Sequence, residues 1–133
     1  VKLDVNVNNI NVLTDAKWLE FILNQIINNS IKYKRNNVES YIKIIAKEDK
    51  EKTYLSIYDN GIGIPKKDIP RVFEKSFTGE NGRITAKSTG MGLYIVKKLC
   101  DKLGHKINIE SKKKEYTKIT IIFYKNDFYK IKD

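Results

Sequence analysis

The chain has 133 residues, and its 26 lysines and arginines outnumber its 16 aspartates and glutamates, which gives a formal net charge of +10. That length suits one compact domain with a real core, and a hydrophobic content of 41% excludes a disordered composition. No apolar run approaches the roughly 20 residues of a membrane helix, and nothing at the start resembles a signal peptide. The single cysteine, Cys100, excludes an internal disulfide and favours a reducing setting.

The first two predicted elements are a strand and a long helix. Residues 1–8 alternate apolar and polar side chains, which predicts a half-buried strand. Asp15 is a suitable N-cap, and apolar residues recur at helical spacing after it, from Leu19 to Ile31. This pattern predicts a helix over about residues 15–35.

A hairpin and an irregular segment follow. Residues 40–46 and 53–59 each place apolar side chains on one side, which predicts two antiparallel strands joined around Asp49-Lys50, with polar outer faces. Asp59 continues the inward register of the second strand. A glycine- and proline-rich turn at 60–65 and a short helical piece at about 70–75 come next, and residues 76–90 predict a long surface loop.

The last part of the chain predicts a helix and two strands. Apolar spacing from Met91 to Leu103 indicates the helix, with Gly104 as its C-cap, and strands are expected at 106–111 and 117–124. Residues 126–133 are expected to be a frayed tail. Helices on one face of a mostly antiparallel sheet give an α+β sandwich.

A polar stripe runs along one side of the long predicted helix. Gln25, Asn29 and the pair Lys32-Tyr33 fall at helical spacing beside the apolar side. An asparagine carbonyl oxygen can bind Mg²⁺, and a lysine one turn further on can neutralise phosphate charge. The stripe is therefore a candidate nucleotide contact, although a solvated helix face in an asparagine-rich chain explains the same pattern.

The second candidate site is the turn Asp59-Asn-Gly-Ile-Gly-Ile-Pro65. Because Asp59 should point inward, its carboxylate needs a donor partner, and a flat base with an amino group would serve. Gly61 and Gly63 would let the backbone come close to a ligand. An ordinary strand-ending turn with a side-chain cap is the alternative.

Two further candidates adjoin each other. The run Ser88-Thr-Gly-Met-Gly-Leu93 enters a helix, whose free N–H groups and dipole favour an anion such as phosphate; a plain glycine-rich turn explains it equally. The loop before it could be a lid over a nucleotide, because it has Phe77 at its root and three cations nearby, Lys75, Arg83 and Lys87. A surface loop without a role is the alternative.

In order and spacing, these segments resemble the N, G1, F and G2 boxes of sensor histidine kinases. The matching runs are Gln25 to Tyr33, Asp59 to Pro65, Arg71 to Phe77 and Gly90 to Val96. The resemblance covers about residues 11–124. The stretch from Phe73 to Arg83 looks closest to the bacitracin-sensor-like, intramembrane-sensing kinases of Gram-positive bacteria.

The resemblance implies the Bergerat ATP-binding fold, a two-layer α/β sandwich whose mixed, mostly antiparallel sheet has helices on one face. It implies that Asn29 coordinates Mg²⁺, with Gln25 as a second candidate ligand, that Lys32 touches phosphate and that Tyr33 packs near the adenine. Asp59 would accept the adenine amino group. The remaining residues that the resemblance assigns to ATP are Gly61, Gly63, Ile64, Phe77, Arg83, Thr89, Gly90, Met91, Gly92 and Leu93.

Gln25 separates two branches of this resemblance. In the members that hydrolyse ATP, a glutamate four residues before the Mg²⁺-binding asparagine acts as general base. Glutamine does not accept a proton usefully at neutral pH. We therefore expect phosphoryl transfer to a protein rather than hydrolysis.

The phosphoacceptor histidine of such kinases lies on a separate helical dimerisation domain. The one histidine here, His105, is expected to be structural, so the fragment alone should bind Mg-ATP without autophosphorylation. We expect residues 1–126 to be the catalytic domain and 127–133 its tail, with dimerisation and sensor domains outside this chain. The implied partners are that dimerisation domain, a response regulator and a membrane transporter. The resemblance also implies that the catalytic domain lies in the cytoplasm and the full-length protein in the cell membrane.

Two other interpretations stay open. A stand-alone anti-sigma-factor-type serine kinase shares the fold and would phosphorylate a serine on a partner. The charge of +10 also fits a basic nucleic-acid-binding module, but only 3 of the 26 cations are arginine, the residue suited to bidentate base and phosphate contacts. We therefore expect no nucleic-acid partner and a lysine-rich, solvated surface.

Overall fold

The structure, a computed structural model, describes residues 1–7, 10–75, 77 and 92–125. Five strands form one sheet in the order β1-β2-β3-β5-β4; they are β1 (Lys2–Asn6), β2 (Tyr41–Glu48), β3 (Lys52–Asp59), β4 (Lys106–Lys112) and β5 (Tyr116–Tyr124). β1 runs parallel to β2, and the other neighbouring strands are antiparallel. Two helices, α1 (Ala16–Lys32) and α2 (Gly92–Leu103), pack on each other and on the sheet, which confirms the predicted α+β sandwich.

Helix α1 begins where the sequence predicts it. The Asp15 carboxylate accepts a hydrogen bond of 3.0 Å from the Trp18 N–H, as an N-cap does. Ile22 and Ile26, one turn apart, are fully buried and face the sheet. The helix ends at Lys32 with Tyr33 as its cap, three residues before the predicted end.

The predicted β2–β3 hairpin is confirmed. The Asp49 carboxylate accepts hydrogen bonds of 2.8 Å from the N–H groups of both Glu51 and Lys52, which closes the turn. Alternate residues of β3 then point into the core, and Ile57 is 1% exposed. Asp59 lies at the end of that inward row, opposite Ile42 on β2 and Thr117 on β5.

Gly104 ends α2, as predicted, with a φ of 77° that suits glycine. The His105 N–H then donates a hydrogen bond of 2.8 Å to the Cys100 carbonyl. The buried His105 ring packs on Phe123, with centroids 4.5 Å apart, and its Nε2 lies 2.7 Å from the Thr14 hydroxyl. This histidine is therefore a buried structural residue that links the end of α2 to β5 and to the segment before α1.

The expected half-burial of the first strand is wrong. β1 forms, but all five of its residues are exposed, and Leu3 on its helix-facing side is 60% exposed. The reason is that α1 packs on β3 and α2 on β4, so the helix layer does not extend over β1 at the sheet edge. Alternation correctly indicates which side of β1 is apolar, but not whether anything covers it.

Three other expectations concern the irregular parts. The short helical piece is a single 3₁₀ turn at Ile69–Arg71 instead of 70–75. The predicted loop lies, apart from Phe77, outside the described residues, as does the tail at 126–133. Within the described part of the chain, no helix combines the length and the apolar character needed to cross a membrane.

Candidate functional site

The centre of the candidate site is a buried carboxylate. Asp59 is 8% exposed, and the end of β3 directs its side chain towards α1. One carboxylate oxygen accepts a hydrogen bond of 2.7 Å from the Ser30 hydroxyl, and the other accepts one of 2.9 Å from the Gly61 N–H. Burial raises the pKa of Asp59 above 3.8, while these two hydrogen bonds act in the opposite direction.

Gly61 allows the turn after β3 to lie directly against the end of α1. A Cβ at this position would stand 2.6 Å from the Tyr33 carbonyl oxygen and 2.8 Å from an Asp59 carboxylate oxygen, both closer than real Cβ contacts. The next N–H, that of Ile62, donates a hydrogen bond of 2.9 Å to the same Tyr33 carbonyl. The predicted site residues Tyr33, Asp59 and Gly61 are therefore brought together.

Gly63 has a different reason to be glycine. Its φ is +69°, and a side chain there would collide with the Lys112 carbonyl at the end of β4. Next to it, the Ile64 N–H donates a hydrogen bond of 2.8 Å to the Ser111 hydroxyl. Gly63 and Ile64 therefore hold the turn against the β4–β5 hairpin.

The turn is held in place by hydrogen bonds from two side chains, Arg35 and Asn60, whose role was not predicted from the sequence. The Arg35 guanidinium donates one hydrogen bond of 2.9 Å to the Asn60 carbonyl and one of 2.7 Å to the Lys114 carbonyl. The Asn60 side chain accepts from the Tyr41 N–H and donates to the Glu39 carbonyl, both at 2.9 Å. These partners are backbone groups far away in the sequence, so no residue pattern marks them.

The polar stripe of α1 divides into two environments. Gln25 and Asn29 are half-buried, whereas Lys32 is exposed, with its Nζ 5.6 Å from the centre of the Tyr33 ring. The Gln25 side-chain oxygen lies 3.3 Å from the position that a Cβ of Gly92 would take. Gln25 therefore lies close to the start of α2, and Asn29, one turn further on, immediately precedes the Ser30 that binds Asp59.

The second glycine motif and the loop are described only in part. Gly92 and Leu93, both half-buried, form the first turn of α2, where helix N–H groups lack intrahelical partners. Phe77 is half-buried, and the Arg71 guanidinium lies 4.5 Å from the centre of its ring. The predicted site residues Arg83, Thr89, Gly90 and Met91, and Lys87 with them, lie outside the described residues.

The donor set of the site is mostly amide, hydroxyl and backbone. Over residues 1–7, 10–75, 77 and 92–125, no group of three or more histidine, cysteine or acidic side chains could hold a metal ion. A magnesium ion here would therefore need oxygens from another molecule besides the Asn29 side chain, and a triphosphate would provide them. The residues fit a metal that arrives with a nucleotide.

Comparison with known proteins gives consistent results. A family model described as "Histidine kinase-, DNA gyrase B-, and HSP90-like ATPase" matches residues 14–127. The sensor histidine kinase YxdK of Bacillus subtilis is 41% identical over 112 residues, which are 84% of this chain and 34% of YxdK. The sensor protein BceS of the same organism is 39% identical over 92% of this chain and 36% of BceS. The chain thus spans about a third of the length of the curated relatives it matches.

Solved structures agree on the fold. The mycobacterial sensor histidine kinase MprB superposes with a TM-score of 0.81 at 24% identity, over 92% of this chain and 82% of that one. The catalytic domain of histidine kinase ThkA superposes with a TM-score of 0.74 at 23% identity, over 92% of this chain and 78% of that one.

The predicted likeness to bacitracin-sensor-like kinases is confirmed by the BceS match. The chain belongs to the histidine kinase-, DNA gyrase B- and HSP90-like ATPase family, in which its curated relatives are sensor histidine kinases.

Proposed function

We propose that the chain is the catalytic domain of a two-component sensor histidine kinase, which binds Mg-ATP and donates the γ-phosphate to a histidine on a separate dimerisation domain. The observation that carries this proposal is the buried Asp59 carboxylate, held by donors from α1 and from the turn after β3. The family match over residues 14–127 supports it.

Asp59 has the chemistry to recognise adenine. An ionised carboxylate offers about four lone-pair positions, and Ser30 and Gly61 use two of them. A remaining position can accept a hydrogen from the exocyclic amino group of adenine, which guanine lacks at the equivalent carbon. Because Gly61 has no Cβ, the turn can lie against the Tyr33 carbonyl without displacing the Asp59 carboxylate.

The phosphate side of the proposed site lies between α1 and the first turn of α2. The first N–H groups of α2, which have no partner within the helix, and the helix dipole at Gly92 favour the negative charge of a triphosphate. The exposed ammonium group of Lys32 is free to approach phosphate oxygens, and the half-buried Asn29 amide oxygen would be the protein ligand of magnesium. When bound, the metal neutralises phosphate charge.

Gln25 and His105 indicate what the domain does with the phosphate. Gln25, at the position of a general base, is not able to take a proton from water, so hydrolysis has no catalyst there. His105 is 3% exposed, and its Nε2 contacts Thr14, so it is not placed to receive a phosphoryl group. The acceptor therefore belongs to another domain.

The remaining parts of the proposal concern the full-length protein. Its own dimerisation domain would be the first partner, and a response regulator would receive the phosphoryl group next. A membrane transporter is a further partner in this proposal, with the catalytic domain in the cytoplasm and the full-length protein in the cell membrane. The match covers 34% of YxdK and 36% of BceS, and the rest of those relatives leaves room for these additional domains.

The proposal is tested by titrating a fluorescent ATP analogue with and without Mg²⁺. We expect the wild type to bind it and Asp59→Asn to bind at least tenfold more weakly, because the substitution places an amide donor opposite other donors. Asp101→Asn is a matched control, since it removes the same charge from an exposed position on α2. Failure of the wild type to bind, or equal affinity of the two variants, contradicts the assignment of Asp59.

A further inference from the structure

The face of the sheet that points away from the helices, called the open face below, has a distinctive composition. It consists of alternate residues of all five strands, which the strand register places side by side. Among the described residues, it carries five tyrosines, seven lysines and two acidic residues, Asp4 and Glu110. The tyrosines are Tyr41, Tyr54, Tyr58, Tyr116 and Tyr124, and the lysines are Lys2, Lys43, Lys47, Lys52, Lys106, Lys112 and Lys118.

Three of these tyrosines form a stacked row across β2, β3 and β5. The ring centroids of Tyr41 and Tyr58 are 6.1 Å apart with the planes at 20°, and those of Tyr58 and Tyr116 are 5.4 Å apart at 15°. The Nζ of Lys43 lies 5.2 Å from the Tyr41 ring centre. The ring faces inside the row are therefore occupied by protein groups.

A shallow groove of about 230 Å³ lies on the same face. It is lined by Ile45, Lys47, Tyr54, Ser56, Lys118 and Thr120. Hydroxyl groups form part of its floor, since the side-chain oxygens of Ser56 and Thr120 are 2.9 Å apart. Two lysines thus line the groove, and the bonded pair Ser56–Thr120 has one hydroxyl proton left to donate, which suits an oxyanion.

Two of the seven lysines of the open face form ion pairs with neighbouring carboxylates. Lys2 and Lys112, on the two outer strands, form ion pairs with Glu39 and Glu115 at 3.0 and 2.9 Å. The salt bridges of the described residues include no other lysine of this face. Asp4 lies opposite Lys43 and Glu110 opposite Lys118 in the strand register, but neither is an ion pair among the described residues. These lysines are therefore available to an external anion.

Tyr54 and Tyr58 add no opposing negative charge to this face at neutral pH. Burial and the neighbouring Tyr41 raise the pKa of Tyr58 above 10.0, and burial with a hydrogen bond to Asp49 raises that of Tyr54. Both side chains keep their O–H groups. They remain hydrogen-bond donors with an aromatic body and a polar tip.

This composition discriminates between the partners that a basic face could bind. Sheets that bind single-stranded nucleic acid stack bases on free aromatic rings. Four of the five rings here lie against protein groups instead, since three stack on one another and Lys52 lies 5.7 Å from the ring centre of Tyr124. Protein interfaces have an apolar centre, but among its described residues this face has only two aliphatic side chains, Ile45 and Ile122. Point-charge lysines and amphipathic aromatic rings are instead suited to the headgroup region of a bilayer.

We infer that the open face is a docking surface for a lipid bilayer with anionic headgroups. Lys43, Lys47 and Lys118 supply the attraction, and the stacked tyrosines lie at the level of the headgroups. This inference goes beyond the proposed function and is independent of it, because Asp59 and the helices lie on the opposite face of the sheet. A bilayer and a nucleotide could therefore be bound at the same time.

The test is sedimentation of the full chain with vesicles at about 0.1 M salt. We expect binding to phosphatidylcholine vesicles that contain phosphatidylglycerol and not to pure phosphatidylcholine. Changing Lys43, Lys47 and Lys118 together to glutamine should lower the partition coefficient about a hundredfold, from roughly fivefold for each lysine near an anionic surface. The matched control changes Lys17, Lys98 and Lys102, three exposed helix lysines, and should bind like the wild type.

Four results would overturn the inference. They are no binding to the anionic vesicles, equal binding to both kinds of vesicle, an equal loss in the control variant, and retention by a single-stranded oligothymidine without retention by vesicles. The control variant has the same net charge as the test variant, so an equal loss would mean that the total charge, and not the open face, governs binding. Circular dichroism of both variants excludes unfolding as the cause of a difference.

Discussion

Asp59 makes the stability of the domain depend on pH in a direction opposite to that of most acidic residues. Burial raises its pKa in the folded state above the ordinary 3.8, so the folded protein holds this proton more tightly than the unfolded chain does. As the pH rises from 3.8 through the raised value, the unfolded chain releases the proton first. The contribution of Asp59 to the free energy of unfolding therefore falls with rising pH in that window.

The predicted consequence is a pH-dependent difference between the wild type and Asp59→Asn. Asparagine does not titrate, so the variant lacks the fall in stability, and its free energy of unfolding should improve relative to the wild type as the pH rises through that window. Urea unfolding of both proteins at a series of pH values measures this difference. Two stability curves that stay parallel across the window would contradict a raised pKa.

Gly61 and Gly63 predict two distinguishable defects. In Gly61→Ala the new methyl group must displace the Tyr33 carbonyl or the Asp59 carboxylate, so nucleotide affinity should fall strongly with a moderate loss of about 1–3 kcal/mol in stability. In Gly63→Ala the φ of +69° adds strain to a collision with the Lys112 backbone, so the stability loss should be larger. Chemical unfolding and analogue titration separate the two, and the reverse ranking in stability would contradict these assignments.

Arg35 connects three elements that are separate in the sequence. Its guanidinium joins the segment after α1 to the Asn60 carbonyl after β3 and to the Lys114 carbonyl between β4 and β5. A further hydrogen bond, 2.6 Å from the Lys114 N–H to the Ile62 carbonyl, holds the same hairpin against the turn. The position of the candidate adenine pocket therefore depends on an arginine outside it.

We predict that Arg35→Lys weakens nucleotide binding even though it keeps the charge. A lysine ammonium does not reproduce the planar guanidinium, which donates to two carbonyls at once. The free energy of nucleotide binding should therefore weaken by about 1–3 kcal/mol. Lys34→Gln, at the neighbouring exposed position, is the control. If Arg35→Lys binds the ATP analogue as tightly as the wild type, the link does not position the pocket.

The sequence predicts the elements better than the contacts between them. The inward position of Asp59 follows from the alternation of Leu55 and Ile57, because a strand has a period of two. Ser30, Arg35 and Ser111 could not be predicted, since their partners lie 29, 25 and 47 residues away and include backbone groups that any residue carries. The exposure of β1 likewise depends on where the helices pack, which local periodicity does not contain.

The domain as a unit has two faces with separate roles in our proposals. The helix side of the sheet holds Asp59, Ser30 and the first turn of α2, whereas the open face carries the tyrosine row and the lysines. Because successive side chains of a strand point to opposite faces, the sheet itself separates the proposed nucleotide site from the open face. The lysine triple variant of the open face should therefore leave nucleotide affinity unchanged, and Asp59→Asn should leave vesicle binding unchanged.

Asn29 provides the test of phosphoryl transfer by the assembled protein. Its side chain lies outside the core, and its neighbour Ser30 holds Asp59, so Asn29→Ala should fold normally and still bind the adenine end of a nucleotide. Without the amide oxygen, the additional stabilisation by Mg²⁺ should be lost, and transfer to an added dimerisation domain should fall at least a hundredfold. A saturating ligand at 100 times its Kd adds about 2.7 kcal/mol to stability, so thermal unfolding with ATP alone and with Mg-ATP resolves the metal-dependent part.

Asn28→Ala, at the adjacent exposed position, is the control. Unchanged transfer by Asn29→Ala would remove this residue from the mechanism, whereas loss of ATP binding in the absence of Mg²⁺ would show that it contacts the nucleotide directly.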